Sequence, residues 1–433
     1  MVKKFALIAL AALPVLAHTT EQPKTICMYL FVHGIMNIEA HLNTSTFIHL
    51  FNDDIEDTLY KANILYVRND PFFQQSQPIQ GLGLIPIDMN KTAPGYAAGA
   101  MAQLFEQQLP KDQGCEHKYY TFGWSSLLSF SERYKAAQQL YYALSQEVQK
   151  YTQEGHTVRL MAVGYSHGAN ILLNLAAIKK ENTLAHEPFS IDTLVLMGAP
   201  IQCETDHQIM DPLYKKVYHL YSNADVPQTL DFFTSKRFFS ERMFRPRKGF
   251  VLPNKLVQAN ISILRRAGGN HKKLPCKKVN CKSQLMRDIS PGHTELWFFG
   301  WTQCSYRPNL PFCPLPLATL IPTFIKYLQR VEPELDPNKT AYMTIDTYHD
   351  TITIKNNRKG HIVLQDKWIN NQVTDYISLA NQFKPSYTKE IYQKRRQAAF
   401  DKARDWHKNY VKQQWYAAHC PRTVSQICNK SSN

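Results

Sequence analysis

Between Arg159 and Lys180 the chain runs from an apolar stretch, Arg159-Leu-Met-Ala-Val163, through Gly164-Tyr165-Ser166-His167-Gly168, into a second apolar stretch, Ala169-Asn-Ile-Leu-Leu-Asn-Leu-Ala176. The first reads as a buried strand and the second as a helix, so Ser166 falls on the turn between them. A strand-to-helix turn this sharp puts its central residue in an unusual backbone conformation, and small neighbours allow strand and helix to come close. The helix N-terminus beneath the turn favours negative charge. Gly-x-Ser-x-Gly alone is a weak signal; the strand before it and the helix after it give it weight. The plain alternative is a strand–turn–helix with a passing serine.

The rest of the chain keeps the alternation. Strand-like runs are Thr25–Val32, Lys118–Trp124, Thr157–Val163, Asp192–Met197 and Lys216–Tyr221. Helical spacing is found over Ala93–Leu109, Ser131–Tyr151, Ala169–Lys180 and Leu317–Val331. Near-continuous apolar strands alternating with helices predict an α/β fold, a mostly parallel sheet covered on both faces. Two parts stand outside that pattern. Residues 230–290 are basic and rich in phenylalanine (Phe232, Phe233, Phe238, Phe239, Phe244, Phe250) and read as a cap inserted over one face. Residues 340–433 read as a C-terminal extension. It holds a β-hairpin (Thr351–Ile354 with His361–Leu364) and a basic helix from Tyr387 to Ala418.

A serine hydroxyl needs a base to take its proton, and the base needs an orienting group. The expected acid is Asp225, in Tyr221-Ser-Asn-Ala-Asp-Val-Pro227 directly after a strand, with Glu204 and Asp206 as competitors. The expected base is His293, in Pro291-Gly292-His293-Thr294-Glu295, ahead of the last core helix. His271, His349 and His361 are weaker candidates, and a plain surface loop is the alternative for His293. An oxyanion needs backbone N–H donors. His167, next to the nucleophile, and Ile35, after Val32-His33-Gly34, occupy the right places. His33 is expected to shape that loop rather than act as a second base.

On these residues (Val32-His33-Gly34, the Ser166 turn, Asp225 and Gly292-His293) residues 25–335 resemble the α/β-hydrolase superfamily, nearest to its serine esterases and lipases. The resemblance implies ester hydrolysis through an acyl-enzyme, with no metal or organic cofactor. The long insertion between acid and base and the segment past residue 340 depart from the family's minimal core. An acyltransferase or thioesterase would use the same residues, and a non-catalytic binding protein on the same scaffold is a further alternative.

Composition bears on where this happens. Met1–Ala17 reads as a cleaved signal peptide: Lys3 and Lys4, an apolar run of about a dozen residues too short to span a bilayer, then Val15-Leu16-Ala17. Export to the periplasm or beyond is expected. Nine cysteines suit an oxidising compartment. Cys276/Cys281, Cys304/Cys313 and Cys420/Cys428 are close pairs, while Cys27, Cys115 and Cys203 remain, and an odd count leaves at least one thiol over. Cys276-x4-Cys281 has no matching second pair, so a disulfide is favoured there over zinc. The net charge of +15 is concentrated in residues 236–282 and 384–412. Phenylalanines among those cations suit an ester substrate, a lipid among the candidates, at an anionic membrane or cell-surface polymer. The alternatives are a solvated basic surface and a cap packed on its own aromatics. Nucleic acid is not expected as a partner of an exported chain with this turn.

Overall fold

The computed structural model describes residues 23–36, 44–75, 77–91, 95–110, 114–181, 189–229, 240–266, 286–289, 291–297, 317–336, 339–346, 351–367 and 387–419. The signal sequence, the three close cysteine pairs, Phe232, Phe233, Phe238, Phe239, His271 and His349 lie outside them.

The elements in chain order are β1 (Thr25–Val32), α1 (Thr44–Phe51), α2 (Leu59–Asn69), α3 (Pro71–Gln74), β2 (Gly83–Pro86), α4 (Ala97–Gln108), β3 (Cys115–Gly123), α5 (Phe130–Gln153), β4 (Thr157–Tyr165), α6 (His167–Glu181), β5 (Thr193–Met197), β6 (Val217–Tyr221), β7 (Leu256–Arg266), β8 (Met286–Ile289), α7 (Ile321–Val331), β9 (Thr340–Asp346), β10 (Thr351–Lys355), β11 (Ile362–Lys367) and α8 (Lys389–His419). The strands form one sheet in the order β11-β10-β9-β7-β6-β5-β4-β1-β3-β2, with β8 on β7. From β3 through β9 every neighbour on that path is parallel, while β2, β8, β10 and β11 pair antiparallel. The fold is therefore α/β with a mostly parallel sheet.

Both faces of that sheet are covered. Along β1, Ile26, Met28, Leu30 and Val32 pack with Leu140 and Leu144 of α5 and Leu172 and Leu175 of α6. Tyr29 and Phe31 point the other way, to Met101 and Phe105 of α4 and Phe324 and Leu328 of α7. Burial on both sides is what turned these strands into apolar runs. α5 starts cleanly because Ser129 caps it, its side chain accepting from Glu132 N at 3.1 Å.

Two expectations need correction. Within the supposed cap, Leu256–Arg266 is an inner strand of the sheet, parallel to both β6 and β9. Its Gln258, Asn260 and Ser262 interrupt the apolar run and hid the strand. Gln258 takes Phe244 N at 2.8 Å and donates to Phe244 O at 3.1 Å, and Ser262 meets Thr344 Oγ1 at 3.0 Å. Phe244 and Phe250 are core residues rather than lid aromatics. Likewise the hairpin is no separate appendage, since β9 joins β10 and β11 to the main sheet. α8 packs Ala399 and Phe400 against Met36, Val67, Phe73 and Ile79.

Cys27 and Cys115 form a disulfide between the starts of β1 and β3, with Cα atoms 6.1 Å apart. No described helix is long and apolar enough to cross a membrane.

Candidate active site

β4 runs to Tyr165 and α6 begins at His167, so Ser166 alone makes the turn, with φ of 53°. That left-handed conformation costs a non-glycine residue about 1–2 kcal/mol. It is held from both sides: Ser166 N donates to Met197 O at 2.9 Å, and Ala169 N to Ser166 O at 3.0 Å. Close neighbours must be glycine. A Cβ on Gly34 would lie 2.7 Å from Ser166 Cβ, and one on Gly168 would lie 2.4 Å from His33 O. The loop after β1 and the start of α6 therefore touch backbone to backbone.

His293 lies 127 residues from Ser166 and 68 from Asp225 along the chain, and the fold brings the three together. His293 Nε2 lies 2.8 Å from Ser166 Oγ, and His293 Nδ1 lies 2.8 Å from Asp225 Oδ2. All three are buried: 4% exposed for Ser166, 8% for His293 and 0% for Asp225. The line fits a hydroxyl donating to Nε2 while Nδ1–H donates to the carboxylate.

Each group is held by its own surroundings. The His293 loop is tied by Gly292 N donating to Glu295 Oε2 at 2.6 Å and by Tyr165 OH donating to His293 O at 2.9 Å. The Tyr165 ring lies 4.9 Å from the imidazole and stacks on Trp297 at 5.1 Å. Asp225 Oδ1 accepts from Gln228 N at 3.3 Å, and Asp225 O accepts from Arg242 Nε at 3.0 Å. Gly198, just past β5, has φ of 57° and leaves room for the acid–base pair: a Cβ there would meet Asp225 Oδ2 at 3.0 Å. Sequence reasoning gave Tyr165, Trp297 and Gly198 no part in the site. Only Gly198 left a trace, as a glycine directly after an apolar strand.

The competing residues are elsewhere. Asp206 is ion-paired with Arg247, whose Nη2 donates to Oδ1 at 2.7 Å, and Glu204 sits half-buried in the turn before it. His361 is exposed at the β10–β11 hairpin, 3.4 Å from Asn356 Nδ2.

Of the two expected oxyanion donors, His167 is the first residue of α6, where N–H groups have no intrahelical acceptor. Ile35 directly follows Gly34 and packs on Leu50, Ile55, Tyr60, Ile64, Leu127 and Leu128. For a metal, Cys27, Cys115 and His117 are a described group with donor atoms within 4.8 Å of one another, but both sulfurs are spent in the disulfide.

No protein family matches the chain. No curated protein matches it either. Among solved structures it is similar to the Tle1 effector bound to the VgrG spike from the Type 6 secretion system, at 10% identity and a TM-score of 0.22. That match covers 47% of this chain and 46% of the other, so the chain spans about half the length of the relative.

Proposed function

We propose that this chain is a serine hydrolase of the α/β-hydrolase type that cleaves carboxylic esters through an acyl-enzyme on Ser166. The observation that carries the proposal is the buried line Ser166 Oγ, His293 Nε2, His293 Nδ1, Asp225 Oδ2, with 2.8 Å at each hydrogen-bonded step. A nucleophile within reach of its base, and a base oriented by a buried carboxylate, is the arrangement acyl transfer requires.

The steps follow from the atoms. Ser166 Oγ attacks the ester carbonyl carbon as His293 Nε2 takes the hydroxyl proton. Asp225 stabilises the resulting imidazolium through Nδ1–H. The tetrahedral oxyanion is received by the backbone N–H groups of His167 and Ile35. Collapse breaks the bond to the leaving oxygen, which takes the proton from Nε2 and departs as the alcohol. Water, deprotonated by the same imidazole, then releases the acid and restores Ser166.

A lipid or other acyl ester at a membrane surface is the substrate class we favour. Ile48 and Phe51 of α1, 59% and 66% exposed, support it. Leu50 of the same helix packs in the cluster that holds Ile35, which puts an apolar surface beside the oxyanion loop. Export remains part of the proposal, supported by the N-terminal sequence and the Cys27–Cys115 disulfide.

A fluorophosphonate probe tests the chemistry. Wild type should be labelled once, at Ser166, and Ser166→Ala not at all; an unlabelled wild type, or labelling that survives the substitution, would overturn the mechanism. Co-sedimentation with anionic and with neutral vesicles separates charge from apolar contact, and no binding to either removes the lipid surface.

A further inference from the structure

We infer that His33 and Arg68 are positioning residues that aim the Ile35 N–H into the oxyanion site, through a buried hydrogen-bond relay ending on the Gly34–Ile35 peptide. This rests on the proposed serine hydrolase chemistry.

The relay begins with the tautomer of His33. Trp124 N, which can only donate, lies 3.2 Å from His33 Nε2. Nε2 therefore carries the lone pair and Nδ1 the proton. Nδ1 lies 2.7 Å from Gly34 O, which can only accept. The ring thus meets one backbone donor and one backbone acceptor, with Ser126 Oγ a further 3.5 Å neighbour of Nδ1, and a protonated imidazole would turn a hydrogen against Trp124 N–H. Burial first, and the Arg68 guanidinium second, keep His33 well below the usual histidine range, in the neutral form this needs.

The Gly34 carbonyl and the Ile35 N–H belong to one planar trans peptide and point in opposite directions. Fixing Gly34 O on His33 therefore fixes the Ile35 N–H on the other side. Ser166 is close at hand, since Gly34 approaches it too tightly for any side chain. The far end of the relay is just as constrained. Arg68, 1% exposed, donates from Nε to Trp124 O at 2.9 Å and from Nη2 to Gln80 O and Gly81 O at 2.9 and 3.1 Å. Trp124 also returns its indole Nε1–H to His33 O at 2.8 Å, with the two rings stacked 5.7 Å apart. A Cβ on Gly123 would run into the Gly81 carbonyl oxygen that Arg68 Nη2 holds, and then into Nη2 itself. No hydrogen bond joins Arg68 or His33 to Ser166, His293 or Asp225 among the described residues, and the hydrogen bonds of the relay end on the Gly34–Ile35 peptide.

The test compares a p-nitrophenyl acyl ester with its thionoester, whose C=S accepts hydrogen bonds poorly and gains little from an oxyanion donor. His33→Leu should lower kcat on the ester roughly 10- to 100-fold with KM nearly unchanged, and should shrink the ester-to-thionoester rate ratio by a similar factor. His33→Asn, which can still donate to Gly34 O, should recover part of both. Arg68→Lys should shift the ratio in the same direction by a smaller factor and serves if His33→Leu does not fold. An unchanged ratio in a variant that folds, or a kcat loss equal on both substrates, overturns the relay. A wild type inert to fluorophosphonate and to both esters instead overturns the hydrolase proposal beneath it.

Discussion

Gly34 and Ser166 are in contact so close that a single methyl group on Gly34 would stand 2.7 Å from the serine Cβ. The loop after β1 and the Ser166 turn are thereby set directly against each other. Gly34→Ala should destabilise the protein by about 1–3 kcal/mol through overpacking. Under the proposed chemistry its effect on ester hydrolysis should be larger than on stability, because the added carbon pushes on Ser166 itself. Thermal melts read beside kcat would show this, and a variant with full activity would contradict it.

The proposed chemistry gives the two acids after β5 and β6 separable roles. Asp225→Asn should lower kcat roughly 10³- to 10⁴-fold with little change in KM, since the amide no longer holds Nδ1–H and the imidazolium. Asp206→Asn should leave kcat near wild type and lower stability by about 1–3 kcal/mol, because Arg247 loses its carboxylate. Steady-state kinetics and denaturant melts on the pair would distinguish them; the reverse pattern would mean that the wrong acid has been chosen.

Acid should weaken the fold through His219. This ring is fully buried between Tyr221 and Phe244, and burial lowers its pKa from 6.5 to about 4. Its Nε2 has no hydrogen-bond partner among the described residues. The unfolded chain takes up a proton near pH 6.5 while the folded one does not until about 4. Stability therefore falls as pH drops through that window, by up to about 3 kcal/mol for this one group. His33 shifts in the same direction. His219→Phe should flatten the decline between pH 6.5 and 4.5, followed by urea denaturation, and an unaltered slope would rule out this source.

Reduction should unfasten stability without touching the chemistry. The Cys27–Cys115 bridge closes a separation of 88 residues, which the chain-entropy relation values at about 4.6 kcal/mol. It lies at the start of β1, at the opposite end of the strand from His33 and Gly34. Cys27→Ser with Cys115→Ser should melt earlier yet keep kcat at temperatures where it is folded; a matching fall in kcat would mean that the bridge also shapes the site.

Much of this was legible in the sequence because the strands are buried on both faces and so stand out as apolar runs. The order Ser166, Asp225, His293 could be read because each follows a strand or precedes a helix at a loop of small residues. β7 was not legible, since its Gln258, Asn260 and Ser262 look like surface residues until Gln258 is seen bonded to Phe244 and Ser262 to Thr344. The Arg68 relay was hidden for a related reason. A buried arginine in an unremarked helix has no local signature; its partners, Trp124, Gln80 and Gly81, are brought to it only by the tertiary fold.

The pairing of β9 beside β7, from Gln258 opposite Thr340 to Leu264 opposite Asp346, sets a limit on how this protein can be shortened. Trimming it to the residues that resemble a minimal hydrolase, ending near residue 335, would strip one side of an inner strand. A row of backbone donors and acceptors would be opened along an apolar ribbon, an invitation to stack with other copies. Such a fragment would retain Ser166, Asp225 and His293 and still be expected to collect in inclusion bodies.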